Sequence, residues 1–223
     1  MRPSSSRRSL FIPILAASLC VIGGGCTTAY YGAMEKVGTH KRDILKSRIE
    51  SGQEEQKEAQ EQIKTTYQRF QELTGYAGGD LEGVYDRLNS EYEQSEARAE
   101  DVRERIASID QVATDLFVEW QGEIESMQNA KLKGQSRQSL TQTKGKYAKL
   151  IAAMRKAEAK MPPVLTAFRD QVLALKHNLN ARAIASLSST LGEIEGDIAL
   201  LIRDIDASIQ ESERFLATLE TAG

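Results

Sequence analysis

Along most of this chain the apolar positions recur three and four apart, which places them on one stripe of a helix. The clearest run is Leu81, Tyr85, Leu88, Tyr92, Ser95, Ala99, Val102, Ile106, Ile109, Ala113, Leu116 and Trp120, spaced 4,3,4,3 without a fault. A 3.5-residue repeat sustained this long predicts a left-handed coiled-coil seam. Beyond Trp120 the pattern steps by four to Ile124 and by three to Met127, so a slip in the repeat is expected there. Helical from 81 to 127, this segment makes a rod about 70 Å long. Small Ser95 and Ala99 in its middle suit close helix approach.

The flanking segments carry the same signature less cleanly. A first helix is expected over Lys41 to Leu73, with sparse apolar positions (Ile44, Leu45, Ile49, Ile63, Tyr67, Phe70, Leu73). Its middle, QEEQKEAQEQ, is almost wholly polar, which predicts charge-paired helix with a thin seam. TGYAGGD at 74–80 breaks it and supplies Asp80 as an N-cap. QNAKLKGQ at 128–135 reads as a turn, and a third helix from Ser136 points Tyr147, Leu150, Ile151, Met154, Ala157 and Met161 inward. Pro162-Pro163 stands in its path, yet Met161, Leu165, Phe168, Val172, Leu175 and Leu179 carry the repeat onward. The prolines therefore predict a kink, or a break with immediate restart, and no domain boundary. His177-Asn178-Leu179-Asn180 reads as a turn; an unbroken helix over 163–219 is the rival layout. The last helix carries Ile184, Leu187, Leu191, Ile194, Ile198, Leu201 and Ile205, then Ser208, Ser212, Phe215 and Leu219. The expected fold is all-α: an elongated antiparallel bundle or coiled coil of about four long helices over 41–223.

Residues 1–26 follow a different logic. Arg2, Arg7 and Arg8 precede a short apolar stretch, Leu10 to Ile22, then Gly23, Gly24, Gly25 and Cys26. This is the layout of a secretory signal, and the apolar run is too short to span a bilayer. A cysteine directly after the small residues resembles a bacterial lipobox, with Gly23 where Leu is usual. The expectation is a signal peptide at 1–25, thioether lipidation and acylation of Cys26, and a membrane-proximal tether at 26–40. Several acyl chains give a stable anchor where one gives marginal binding. An ordinary cleaved signal leaving a free cysteine is the alternative. Thr27, rather than Asp, after the cysteine resembles outer-membrane sorting, which places the protein on the periplasmic face of that membrane. Tyr30 and Tyr31 suit either the headgroup level or the base of the bundle.

Composition narrows the function classes. Losing residues 1–25 removes three arginines and takes the net charge from −3 to −6, which argues against nucleic-acid binding. With Cys20 discarded and Cys26 lipidated, no disulfide is available, so packing alone must hold the fold. Charge is segregated: Asp80 to Glu125 holds 14 acidic and 4 basic residues, whereas Lys131 to Lys160 holds 9 basic and one acidic. A hairpin would lay one against the other, the charges fixing partner and orientation. Alternatively Lys144, Lys146, Lys149, Arg155 and Lys156 form a strip for an anionic envelope lipid or glycan.

No catalytic constellation emerges. The only histidines, His40 and His177, are 137 positions apart, and His177 suits a helix end. Glu54, Glu55, Glu58 and Glu61, and likewise Glu91, Glu93, Glu96 and Glu100, lie off the apolar seam and read as solvated faces. The Glu-x-x-His pairs of di-metal bundles are missing, so no metal and no cofactor beyond the lipid on Cys26 is expected. Trp120 is expected in the core and Phe117 half-exposed.

AYYGAMEKVGTHKRDIL (29–45), GGDLEGVYDRLNSEYEQSE (78–96) and RDQVLALKHNLNARAIASL (169–187) resemble a family of uncharacterised proteobacterial lipoproteins, domain of unknown function family 2959. The resemblance implies a gram-negative envelope lipoprotein with a helical fold and supplies no activity, ligand or site residue. The expected function is a non-catalytic, membrane-tethered scaffold, spacer or adaptor with an envelope protein partner; a binding module for an anionic lipid or glycan is the alternative. Self-association through the thin seam of the first helix is a further expectation.

Overall fold

The computed structural model describes residues 41–75, 80–177 and 181–221, without the side chains of 181–183, 185–189, 220 and 221. The signal segment, Cys26, Tyr30, Tyr31, His40, Asn178, Leu179 and Asn180 lie outside the described residues. Five helices make up what is described: α1 (Lys41–Thr74), α2 (Leu81–Ser126), α3 (Ala130–Glu158), α4 (Met161–His177) and α5 (Ala181–Thr221). There is no strand among the described residues. Each of α1, α3 and α4 packs against both α2 and α5, and α3 and α4 succeed each other along one line. The result is four antiparallel rods, in which the third is α3 continued by α4.

The rods pack because each keeps a 3.5-residue stripe dry. On α5, Ile184, Leu191, Ile194, Ile198, Leu201, Ile205, Ser208, Ser212, Phe215 and Leu219 are all buried. On α2 the seam is buried from Leu88 to Ala113 and then shifts. Phe117 is 8% exposed, while Leu116 and Trp120 are only half-buried, which reverses the expected roles of Phe117 and Trp120. The slip therefore falls at Ala113, two turns before its expected place. Its cause is aromatic packing: Phe117 meets Tyr147 edge-on at 5.5 Å, and Tyr147 meets Phe215 at 5.8 Å.

Helix α1 departs from its expected thin seam. Leu45, Ile49, Gly52, Gln56, Ala59, Ile63, Thr66, Phe70 and Leu73 form an unbroken 4,3 series, and all are buried. Gly52 sits where a Cβ would come within 3.0 Å of Ile109 Cδ1 and 3.5 Å of Met154 Cε, so its missing side chain lets α2 and α3 close on α1.

Local chemistry sets the helix ends. The Gly83 N–H donates to Asp80 Oδ1 at 2.9 Å, as an N-cap does. Asn129 Oδ1 accepts from the N–H groups of Lys131 (3.0 Å) and Leu132 (3.1 Å), so α3 starts at Ala130 and the α2–α3 turn is much shorter than the expected 128–135. At the prolines the chain breaks for two residues and restarts. Pro162 and Pro163 occupy the first turn of α4, where a missing N–H loses no helical bond. Burial crosses the break as Met154, Ala157, Met161, Val164, Phe168; the 3,4 spacing is kept through the prolines, which puts Val164 in the inward place expected of Leu165. Phe168 stacks on Phe70 at 5.3 Å, tying α4 to α1.

Candidate functional site

Two ends and one face of the bundle carry its polar chemistry. Lys41 Nζ lies 2.6 Å from Glu119 Oε2, and the Arg42 guanidinium stands 6.0 Å over the Trp120 ring. The start of α1 is thereby level with the last two turns of α2, close to the α2–α3 turn. A cleft of about 330 Å³ opens there, lined by Arg42, Asp43, Leu116, Glu119, Trp120 and Glu123. Trp120 donates its Nε1–H to Ser136 Oγ at 2.9 Å, which fixes the indole with one face toward the cleft. At the opposite end a cleft of about 220 Å³ is lined by Arg69, Glu72, Leu73, Val84, Arg87 and Leu88.

The basic helix α3 behaves differently from its expected neutralisation by α2. Across the α2–α3 hairpin, Arg155 Nη2 lies 2.5 Å from Asp110 Oδ2, and Arg103 reaches Glu158 at 3.2 Å with the polarity reversed. Lys156 turns to α5 and pairs with Asp204 at 3.0 Å. Lys146 donates to Thr218 Oγ1 at 3.1 Å, and Lys144 sits 5.7 Å over the Phe117 ring. Lys149 is exposed and has no ion pair among the described residues. The strip is thus split: Lys144 and Arg155 lean toward α2, Lys146 and Lys156 toward α5. These five side chains make a broad basic ridge and no single pocket.

Between α2 and α1 it is chiefly arginines of α2 that meet glutamates of α1, with Glu91 of α2 accepting in the other direction. Arg98 bridges to Glu58 at 2.7 Å, and Arg105 donates to Glu55 through Nε at 2.9 Å. Gln62 Nε2 donates to Glu91 Oε2 at 2.8 Å. Glu55 and Glu91 are therefore interfacial, with side chains only 20% and 21% exposed, and not part of a solvated face as their spacing suggested. His177 ends α4 and is exposed, in keeping with a helix-terminal role.

Buried polar groups are the feature that sequence reasoning missed. Gln60 Nε2 donates to Asp206 Oδ1 at 3.1 Å, Thr66 and Ser95 share a hydrogen bond of 2.9 Å, and Ser208 donates to Gln56 Oε1 at 3.0 Å. Asp204 is 3% exposed; hydrogen bonding and charge from Lys156 hold its carboxyl below the usual range despite desolvation. Burial, then the hydrogen bond to Asp110, pushes the Tyr147 hydroxyl far up, and burial with Glu96 pushes Tyr92 up to about 12. The available signal was the 4,3 grid itself: continued through the polar middle of α1, it lands on Gln56 and Thr66. Among the described residues, no three His, Cys, Asp or Glu side chains are placed to hold a metal ion, and no helix is long and apolar enough to cross a membrane.

Residues 30–219 match a family described as protein of unknown function (DUF2959), and the chain belongs to that family. No curated protein and no solved structure matches it.

Proposed function

We propose that this member of the DUF2959 family is a non-catalytic spacer or adaptor, tethered by lipid on Cys26 to the periplasmic face of the outer membrane. The observation that carries the reading is the separation of the bundle's two ends by one unbroken helix. Helix α2 has 46 residues, about 69 Å of rise. The end at Lys41 and Glu119 is the one nearer in sequence to Cys26, and this reading makes the end at Leu73 and Arg87 the one that meets a partner. The cleft between Leu73, Val84 and Arg87 offers an envelope protein an apolar floor with charged walls.

A photo-crosslinking residue at Arg87, in intact envelopes, tests this. A recurrent protein captured there and lost in a Cys26→Ala variant supports the adaptor. Capture of lipid or glycan with no protein overturns it.

One observation favours a second reading, a module for an anionic lipid or glycan. Most of the α3 ridge finds no carboxylate among the described residues, so its charge is left to an outside partner. Binding of that kind weakens steeply with salt.

A further inference from the structure

We propose that the end of the bundle formed by the start of α1 and the α2–α3 turn is seated on the bilayer surface, with the rods standing away from it. The inference rests on the lipid-anchor reading and adds to it an orientation and a contact surface. Among the described residues, the two most exposed large apolar side chains are Val118 at 68% and Leu132 at 56%. Both lie in this hairpin tip, on either side of its turn. The half-buried Trp120 stands at the same end of the bundle, fixed by Ser136, and an indole with one polar atom suits the interface between headgroup and acyl chain. Lys131 and Arg137, both exposed, have long apolar stems that let their charges reach headgroup phosphates while the stems stay in the interface.

Chain length and charge point to the same occupant. Fourteen residues lie between Cys26 and Lys41, so of the two ends of the bundle this is the one joined to the anchor by the shorter stretch of chain. Helix α2 continues past Glu119 to Ser126, roughly 10 Å further along the axis, so the tip extends beyond the start of α1. Both signs of charge occur at the tip, Lys131 and Arg137 with Glu123 and Glu125, which matches a layer of phosphates and amines.

The chain has a single tryptophan, Trp120, at the proposed contact. The test uses the full lipidated protein in phosphatidylethanolamine–phosphatidylglycerol vesicles whose acyl chains are brominated near the glycerol. Flotation reports the anchor and quenching of Trp120 emission reports the seat. Expected are flotation that Cys26→Ala abolishes, and loss of most Trp120 emission. A Trp120→Phe, Arg87→Trp variant, with its indole at the far end, floats but keeps its emission. Flotation with no quenching at position 120 overturns the seat and leaves the anchor standing. Quenching at both positions means that the rods lie flat, and overturns it too. Failure to float overturns the anchor and the seat together. Val118→Glu with Leu132→Glu relieves the quenching without loss of flotation if these side chains make the contact; undiminished quenching removes them from it.

Discussion

The hydroxyl of Ser208 on α5 donates to the side-chain carbonyl of Gln56 on α1 at 3.0 Å, across 152 positions of sequence and with both residues no more than 1% exposed. The Ser208 carbonyl in turn accepts from the Ser212 hydroxyl at 2.9 Å. In an apolar seam a polar pair of this kind satisfies itself in one register only, so it specifies how α1 and α5 align more than it adds stability. Gln53 reinforces the choice by donating to the Ile209 carbonyl at 3.3 Å, one turn along the same interface.

Ser208→Ala leaves the Gln56 carbonyl buried without its donor and is expected to cost about 1–3 kcal/mol. The double variant Gln56→Leu, Ser208→Ala removes both polar groups and recovers that loss, because the Gln56 amide nitrogen already lacks a partner among the described residues. Thermal melts followed by circular dichroism compare the three; a double variant no better than Ser208→Ala refutes the pairing.

Phe168→Ala empties the stack with Phe70 beneath the proline break. Both rings are fully buried, so a loss of about 3–5 kcal/mol is expected. Leu88→Asp, at a position 2% exposed, places a charge in the seam and is expected to lower the melting temperature sharply. Unchanged melting of either variant would refute the buried seam.

The depressed Asp204 carboxyl makes part of the stability acid-sensitive. Its stabilisation is present above the unfolded value of about 3.9 and is lost as pH falls through the lower folded value. The melting temperature of Asp204→Asn is therefore expected below that of the parent at neutral pH, with the two curves converging under acid. A gap that stays constant from pH 7 to pH 2 would contradict the role of the Lys156 pair.

Changing Lys144, Lys146 and Lys149 to Glu tests the basic ridge. None of the three has an ion pair among the described residues, so folding should be little affected. If the ridge binds an anionic headgroup or glycan, affinity for anionic vesicles at low salt drops in this variant and its salt dependence flattens. Equal binding by parent and variant removes the second functional reading.

Periodicity made much of this architecture legible in advance. The seams of α2 and α5, the Asp80 cap and the restart at Pro162-Pro163 follow from local rules, because helix caps, proline geometry and a 3.5-residue stripe are properties of neighbouring residues. Hydropathy weighs each side chain alone, so the polar stretch of α1 reads as solvated apart from a thin seam. Gln56, Gln60 and Thr66 are buried because Ser208, Asp206 and Ser95 arrive from distant parts of the chain to satisfy them. The α2–α3 turn is shorter than its composition predicts for a related reason: a single Asn129 side chain, bonded to two N–H groups, outweighs a polar, glycine-containing composition.

Charge shows the same division. The sequence by itself determined that α2 is acidic, that α3 is basic and that four rods pack in antiparallel fashion, since these depend on residue type and spacing. Only the tertiary structure decided which charges meet. Arg98 and Arg105 of α2 turn to glutamates of α1, Lys156 turns to α5, and the start of α1 comes level with Glu119 and the α2–α3 turn. A helix has two flanks besides its buried stripe, and which neighbour occupies each flank depends on the packing of all four rods, not on the chain next to it in sequence.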